Sequence, residues 1–175
     1  MPDFVASWPE GANLPEITAE RIDLLLVDDD PEFRGSLARR FLRRGYRVQE
    51  AASGDEALEL ANRRQFSVAV LDMVMPEMSG IELLERLKKA HPECESIMLT
   101  GQGTIESAVQ AMRLGAYDYI TKPFPLAELE LLVQKAHQRH ALDQENRQLK
   151  AVLERQQPRY EMIGQSAAMR EVYRL

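Results

Sequence analysis

Residues 22–31 read Ile-Asp-Leu-Leu-Leu-Val-Asp-Asp-Asp-Pro, and this stretch decides the fold class. The run over residues 22–27 is almost continuously apolar, as expected for a strand that other elements cover on both faces. Asp30 and Pro31 then begin a helix, because Asp is a favoured N-cap and proline suits the first helical position. A strand followed at once by a helix is typical of a parallel sheet.

The same alternation repeats along the rest of the chain. Further short apolar runs predict strands at residues 46–50, 67–71, 96–100 and 117–120. Helices are predicted to begin at Ser53, Ser79, Thr104 and Pro125, each next to an amphipathic stretch. Five strands that alternate with five helices through short connections predict an α/β fold, a parallel sheet with helices on both faces.

Chemically useful side chains stand where the predicted strands end. Asp28 and Asp29 follow the first strand, Asp72 the third, and Lys122 the fifth, while Thr100 ends the fourth. A parallel sheet brings these ends to one edge, where ligands bind in such folds. Carboxylates that lie close together repel one another unless a cation is present.

Oxygen ligands favour a hard ion such as Mg2+, and a hydroxyl with an ammonium group could hold a phosphoryl group. Asp at a strand end often only caps the next helix, and Asp30 is expected to do so. The combination of acids, threonine and lysine at these positions favours the functional interpretation.

The same positions carry a family resemblance. Residues 25–30, 72–76, 100–101 and 122–124 resemble the motifs of CheY-like receiver domains of two-component response regulators, which have a flavodoxin-like fold. The resemblance extends from about Ile22 to His137. It implies that Asp72 accepts a phosphoryl group from the phosphohistidine of a sensor histidine kinase.

The resemblance also implies the roles of the neighbouring residues. Mg2+ would be bound by the side chains of Asp29 and Asp72, by Asp28 through water, and by the backbone carbonyl of Val74. Thr100 and Lys122 would hold the phosphoryl oxygens, and the peptide bond between Lys122 and Pro123 would be cis. Thr100 and Tyr119 would move as a switch, although Tyr119 could instead be an ordinary residue at the edge of the core.

The chain is expected to comprise four parts. Residues 1–20, which contain three prolines, predict a flexible arm, and residues 21–137 predict the receiver domain. Residues 138–158 predict a coiled-coil linker that continues the last helix and forms a homodimer. Its seam would contain Leu142, Asn146, Leu149 and Leu153, and the asparagine would favour two parallel strands. Other seam positions are polar or charged, so a single helix that leans on the receiver is the alternative.

Residues 159–175 resemble the opening of the AAA+ ATPase domain of sigma-54-dependent activators. Residues 115–124 likewise resemble their receivers, of the nitrogen-regulatory-protein-C type. The sequence contains no G-x-x-x-x-G-K-[ST] phosphate loop, so we expect a phosphoacceptor switch that does not hydrolyse ATP, within a larger transcription activator. Sigma-54 RNA polymerase and DNA would then be partners of the full-length protein and not of this chain.

Composition agrees with a cytoplasmic location. The net charge of −6 argues against general nucleic-acid binding, and no apolar run approaches the length of a membrane span. The single cysteine, Cys94, fits a reducing compartment and is expected to be exposed or half-buried.

Two other functions remain open from the sequence. A stand-alone receiver could dock on a partner protein, although the long tail and the ATPase-like ending argue against this. A phosphohydrolase with an Asp nucleophile could use the same acidic pocket with Mg2+. Such enzymes place a second Asp where this chain has Val74, which cannot donate a proton.

Overall fold

The computed structural model describes residues 22–101 and 105–156, in which five strands alternate with five helices. The strands are β1 (Asp23–Val27), β2 (Arg47–Ala51), β3 (Val68–Asp72), β4 (Glu95–Thr100) and β5 (Asp118–Thr121). The helices are α1 (Pro31–Arg43), α2 (Gly54–Arg63), α3 (Gly80–Ala90), α4 (Ile105–Arg113) and α5 (Leu126–Gln156). The predicted arm and the predicted ATPase-like ending lie outside the described residues.

All five strands are parallel and lie in the order β2-β1-β3-β4-β5. The sheet therefore confirms the predicted fold class. The chain moves outward from β1 to β2 and then crosses to β3 on the other side of β1. This reversal opens a crevice at the carboxyl ends of β1 and β3, the place where such sheets bind ligands.

Apolar residues of each central strand alternate between two hydrophobic layers. Leu24 and Leu26 pack with residues of α1 and α5. Leu25 and Val27 pack on the other face with residues of α2 and α3. Because both faces are covered, the central strands need the nearly continuous apolar sequences that predicted them.

The helices on either side of the crevice begin as the sequence predicted. The Oδ1 atom of Asp30 accepts hydrogen bonds from the amides of Glu32 and Phe33, at 2.9 and 3.1 Å. Ser53 and Ser79 cap α2 and α3 in the same manner. These caps satisfy free amides in the first turn and fix where each loop ends.

Helix α5 is longer than the sheet that it covers. Leu129, Val133 and Ala136 are fully buried against the sheet. The Nδ1 atom of His140 lies 2.7 Å from the carbonyl oxygen of Glu93 and hydrogen bonds to it. Arg139 also forms an ion pair with Glu95, at 3.4 Å. Beyond His140 most of the helix is exposed, up to the last described side chain at residue 154.

Cys94 corrects the sequence-based expectation, because it is buried and only 2% exposed. It immediately precedes β4 and packs with the residues of the α2 and α3 layer. Burial raises the pKa of its thiol to about 12. None of the helices in residues 22–101 and 105–156 has both the length and the apolar content needed to cross a bilayer.

Candidate functional site

Three carboxylates meet at the carboxyl ends of β1 and β3. Asp28 and Asp29 follow β1, and Asp72 is the last residue of β3. One oxygen of each lies within 4.8 Å of the others. Asp28 and Asp72 are buried, whereas Asp29 is exposed at the mouth of the crevice. Such a set of oxygen ligands fits a hard divalent cation such as Mg2+.

Lys122, in the loop after β5, joins two of these carboxylates. Its Nζ atom lies 2.7 Å from an oxygen of Asp28 and 2.7 Å from an oxygen of Asp72. Burial raises the pKa of Asp72, and the hydrogen bond from Lys122 opposes this rise. Burial also lowers the pKa of Lys122, but its bonds to Asp28 and Asp72 outweigh that effect, so its pKa is raised. The ammonium group is therefore a fixed positive charge beside the acids.

The loop after β3 wraps closely around Asp72. The amide of Val74 donates to the second carboxylate oxygen of Asp72, at 3.1 Å. Gly80, the first residue of α3, approaches so closely that a Cβ atom there would lie 2.1 Å from the carbonyl oxygen of Asp72. The close approach of Gly80 to Asp72 was not predicted from the sequence. Its only sign in the sequence is a glycine next to Ser79, the N-cap of α3.

The other predicted site residues lie around this centre. Thr100 ends β4 and is 2% exposed, one position beyond Leu99, which pairs with Asp72. The peptide bond between Lys122 and Pro123 is cis, as predicted. The side chain of Val74 points to solvent and is 74% exposed.

Tyr119 lies on the side of β5 that faces α4. Its half-exposed side chain lines a groove of about 400 Å³ together with Ile105, Val109 and Met112. The structure thus gathers the acids and the lysine in one crevice and leaves Tyr119 on a neighbouring surface. A second residue that the sequence did not reveal is Arg34 of α1, which hydrogen bonds to the backbone carbonyl of Asp28.

Comparison with known families identifies this arrangement. The family model for the response regulator receiver domain matches residues 24–134 of this chain. The chain belongs to this family. The chain is 37% identical over 153 residues to the nitrogen assimilation regulatory protein NtrX of Azorhizobium caulinodans. The match covers 86% of this chain and 33% of that protein.

Solved structures show the same fold for this receiver. NtrX from Brucella abortus, crystallised in complex with ATP, has a TM-score of 0.68 at 35% identity and covers 86% of this chain and 33% of its own. The beryllofluoride-activated NtrC4 receiver domain dimer has a TM-score of 0.64 at 30% identity and covers 67% of this chain and 98% of its own. These matches confirm the predicted resemblance to CheY-like receivers and to regulators of the nitrogen-regulatory type.

The receiver corresponds to only part of these longer relatives. It spans between 28% and 34% of the length of the curated proteins that it matches.

Proposed function

We propose that Asp72 accepts a phosphoryl group from the phosphohistidine of a sensor histidine kinase in a Mg2+-dependent reaction. The observation that carries this proposal is the position of Asp72 in the crevice. Its carboxylate is buried, contacts the fixed charge of Lys122 and has two further carboxylates beside it. A carboxylate repels an anionic phosphoryl donor unless positive charge nearby offsets this repulsion. Lys122 and a bound cation would supply that positive charge.

The transfer itself exchanges one bond for another. An oxygen of Asp72 attacks the phosphorus atom, a P–O bond forms, and the P–N bond to the imidazole breaks. The imidazole leaves with the electron pair of that bond and takes up a proton. Lys122 stabilises the negative charge of the phosphoryl oxygens, and the Thr100 hydroxyl is the expected hydrogen-bond donor on the other side.

The Mg2+ ion would be held by Asp28, Asp29 and Asp72, with the backbone carbonyl of Val74 as a further ligand. When bound, it would neutralise negative charge on the phosphoryl oxygens and the carboxylates. The carboxylate set supports this assignment because its oxygens lie within 4.8 Å of one another.

Phosphorylation would alter the neighbouring surface through Thr100 and Tyr119. A phosphoryl group on Asp72 adds charge and hydrogen-bond acceptors beside the end of β4. Movement of Thr100 toward that group would leave space into which Tyr119 could turn. The groove between Tyr119 and α4 is the surface that such a turn would reshape.

The signal would be used by a sigma-54-dependent transcription activator that acts as a homodimer. Within residues 21–137 the receiver would sense phosphorylation, and residues 138–158 would pair with a second chain. The seam residues Leu142, Leu149 and Leu153 are each more than half exposed, as an unpaired seam would be. Asn146 of the same seam is also exposed.

The beryllofluoride-activated NtrC4 receiver domain is described as a dimer, which supports a homodimer and not the linker as its interface. Sigma-54 RNA polymerase and DNA would be contacted by other parts of the full-length protein, in the cytoplasm.

Replacing the acceptor tests the central assignment. Asp72→Asn keeps the shape of the side chain but removes its nucleophilic charge, so incubation with acetyl phosphate and Mg2+ should add no phosphoryl mass. The matched control is Asp55→Asn, which removes an exposed acid from the first turn of α2 and should label normally. Wild-type labelling of Asp72→Asn would place the acceptor elsewhere.

A further inference from the structure

Arg34 connects three elements of the fold beside the carboxylate cluster. It lies in α1, and its Nη1 atom donates to the backbone carbonyl oxygen of Asp28 at 2.5 Å. Its Nε atom forms an ion pair with a carboxylate oxygen of Glu50, near the end of β2, at 3.3 Å but without hydrogen-bond geometry. The Arg34 side chain is only 15% exposed, so the guanidinium is enclosed between helix and sheet edge.

The carbonyl that Arg34 binds belongs to the peptide group between Asp28 and Asp29. Every other polar atom of Asp28 is also held. Its amide donates to the carbonyl of Ala51 at 3.3 Å. One carboxylate oxygen accepts from the amide of Asp30 at 2.9 Å and the other from Lys122 at 2.7 Å. The contact of its carbonyl oxygen with Arg34 links this peptide group to α1.

The orientation of that peptide controls Asp29. The side chain of Asp29 is exposed, so packing does little to direct it. Its carboxylate nevertheless has an oxygen within 4.8 Å of oxygens of Asp28 and Asp72, so its place in the cluster depends on the backbone that carries it. A shift of this peptide that displaces the Cα atom of Asp29 would carry its carboxylate away from the other two oxygens.

We propose that Arg34, which is paired with Glu50, is a positioning residue that fixes the Asp28–Asp29 peptide so that Asp29 can bind the divalent cation. The inference rests on the proposed function, because it assumes that the carboxylate cluster binds Mg2+. Groups that orient metal ligands from outside the coordination sphere commonly change metal affinity by about 10-fold to 100-fold when replaced.

Charge and geometry make opposite predictions for Arg34. A positive charge beside a cation site disfavours the cation, so electrostatics alone predicts tighter Mg2+ binding when the charge is removed. Positioning predicts weaker binding whenever the fork of the guanidinium is lost. Arg34→Lys separates the two effects, because it keeps the charge and loses the fork.

Isothermal titration with Mg2+ on the whole chain is the measurement. Arg34→Lys should lower the affinity by about 10-fold, and Glu50→Gln, which removes the ion pair at a half-exposed site, should lower it by a smaller factor. The matched control is Arg47→Lys, since Arg47 pairs with Asp23 at the opposite end of β1 and should leave Mg2+ binding unchanged. Wild-type affinity in Arg34→Lys, or tighter binding in Arg34→Ala, would overturn the proposal.

A metal-free readout accompanies the titration. The amide nitrogen of Asp29 shares a peptide group with the carbonyl that Arg34 binds, so its NMR shift should change in Arg34→Lys and Glu50→Gln without any metal. An unchanged shift in both variants would also contradict the inference. If the wild-type chain binds no Mg2+, the proposed function fails instead, which distinguishes the two failures.

Discussion

Gly80 has no side chain, and this allows α3 to begin directly against the backbone of the acceptor Asp72. A Cβ atom at this position would meet backbone atoms of Asp72 and Met73, at 2.1 and 2.8 Å, and neither can move without displacing the acceptor. Gly80→Ala should therefore lower the free energy of unfolding by about 3 kcal/mol and reduce labelling by acetyl phosphate.

Gly35 provides the matched comparison, because it lies inside α1 with ordinary space for a methyl group. Gly35→Ala should raise the free energy of unfolding by about 0.5–1 kcal/mol, since alanine loses less backbone entropy in a helix. Urea denaturation measures both changes. Equal effects of the two substitutions would mean that the close approach of Gly80 does not matter.

At the scale of the residue, the reactivity of Cys94 shows whether the core around it is folded. Burial raises its pKa from 9.0 to about 12, so at pH 8 the native thiol is both protonated and inaccessible. A disulfide reagent at pH 8 should leave the native chain unlabelled and label it rapidly in denaturant. Rapid labelling of the native chain would show that Cys94 is exposed or half-buried, as the sequence predicted.

The same shift has a consequence for stability. As pH rises from 9.0 to about 12, the unfolded thiol ionises while the buried thiol does not. Proton release therefore favours the unfolded chain, and this contribution to the free energy of unfolding is present below pH 9.0 and lost through that window.

At the scale of the element, α5 performs two tasks along its length. Up to His140 it closes one face of the sheet, and beyond His140 it carries exposed leucines. Each leucine that becomes buried in a dimer contributes about 1.5–3 kcal/mol, so Leu142, Leu149 and Leu153 together could stabilise a dimer at micromolar concentration.

Truncation after His140 tests this division. The shortened chain keeps the described contacts of α5 with Glu93 and Glu95, so it should fold and remain monomeric. The full chain should be a dimer by light scattering under the same conditions. A truncated chain that still forms a tight dimer would move the interface onto the receiver, most simply to the groove beside α4.

At the scale of the whole molecule, Mg2+ binding should increase the stability of the folded chain. The cluster brings three carboxylates within 4.8 Å, and Lys122 contacts only two of them. Mg2+ at about 100 times its dissociation constant should raise the free energy of unfolding by about 2.7 kcal/mol. The melting temperature should rise by several degrees.

Two controls separate binding from general screening. Potassium chloride at equal ionic strength should give a much smaller rise. Asp29→Asn, which removes the exposed carboxylate of the cluster, should lose most of the effect of Mg2+. An equal response to both salts would exclude a specific cation site.

The sequence predicted the sheet and the position of its acids because both follow from local patterns. Apolar runs over β1 and β3 mark buried strands, and Asp30, Ser53 and Ser79 mark where the helices begin. Each strand bound was predicted to within one residue.

What the sequence could not predict depends on contacts between distant segments. Gly80 is special only because α3 begins against the backbone of Asp72. Arg34 pairs with Glu50 only because β2 lies beside α1. The burial of Cys94 likewise results from helices that close over the amino end of β4. No short sequence pattern encodes which segments lie next to these three residues.

The anchoring of α5 at His140 has a mechanical consequence. Residues 141–156 continue the helix beyond this anchor and, at about 1.5 Å per residue, extend about 24 Å from it. A tilt of about 10° at the anchor would therefore displace the far end by about 4 Å, roughly the diameter of a methyl group. A helix anchored in this way would act as a lever arm, and a small rearrangement at the sheet would then displace its tip by about the width of a side chain.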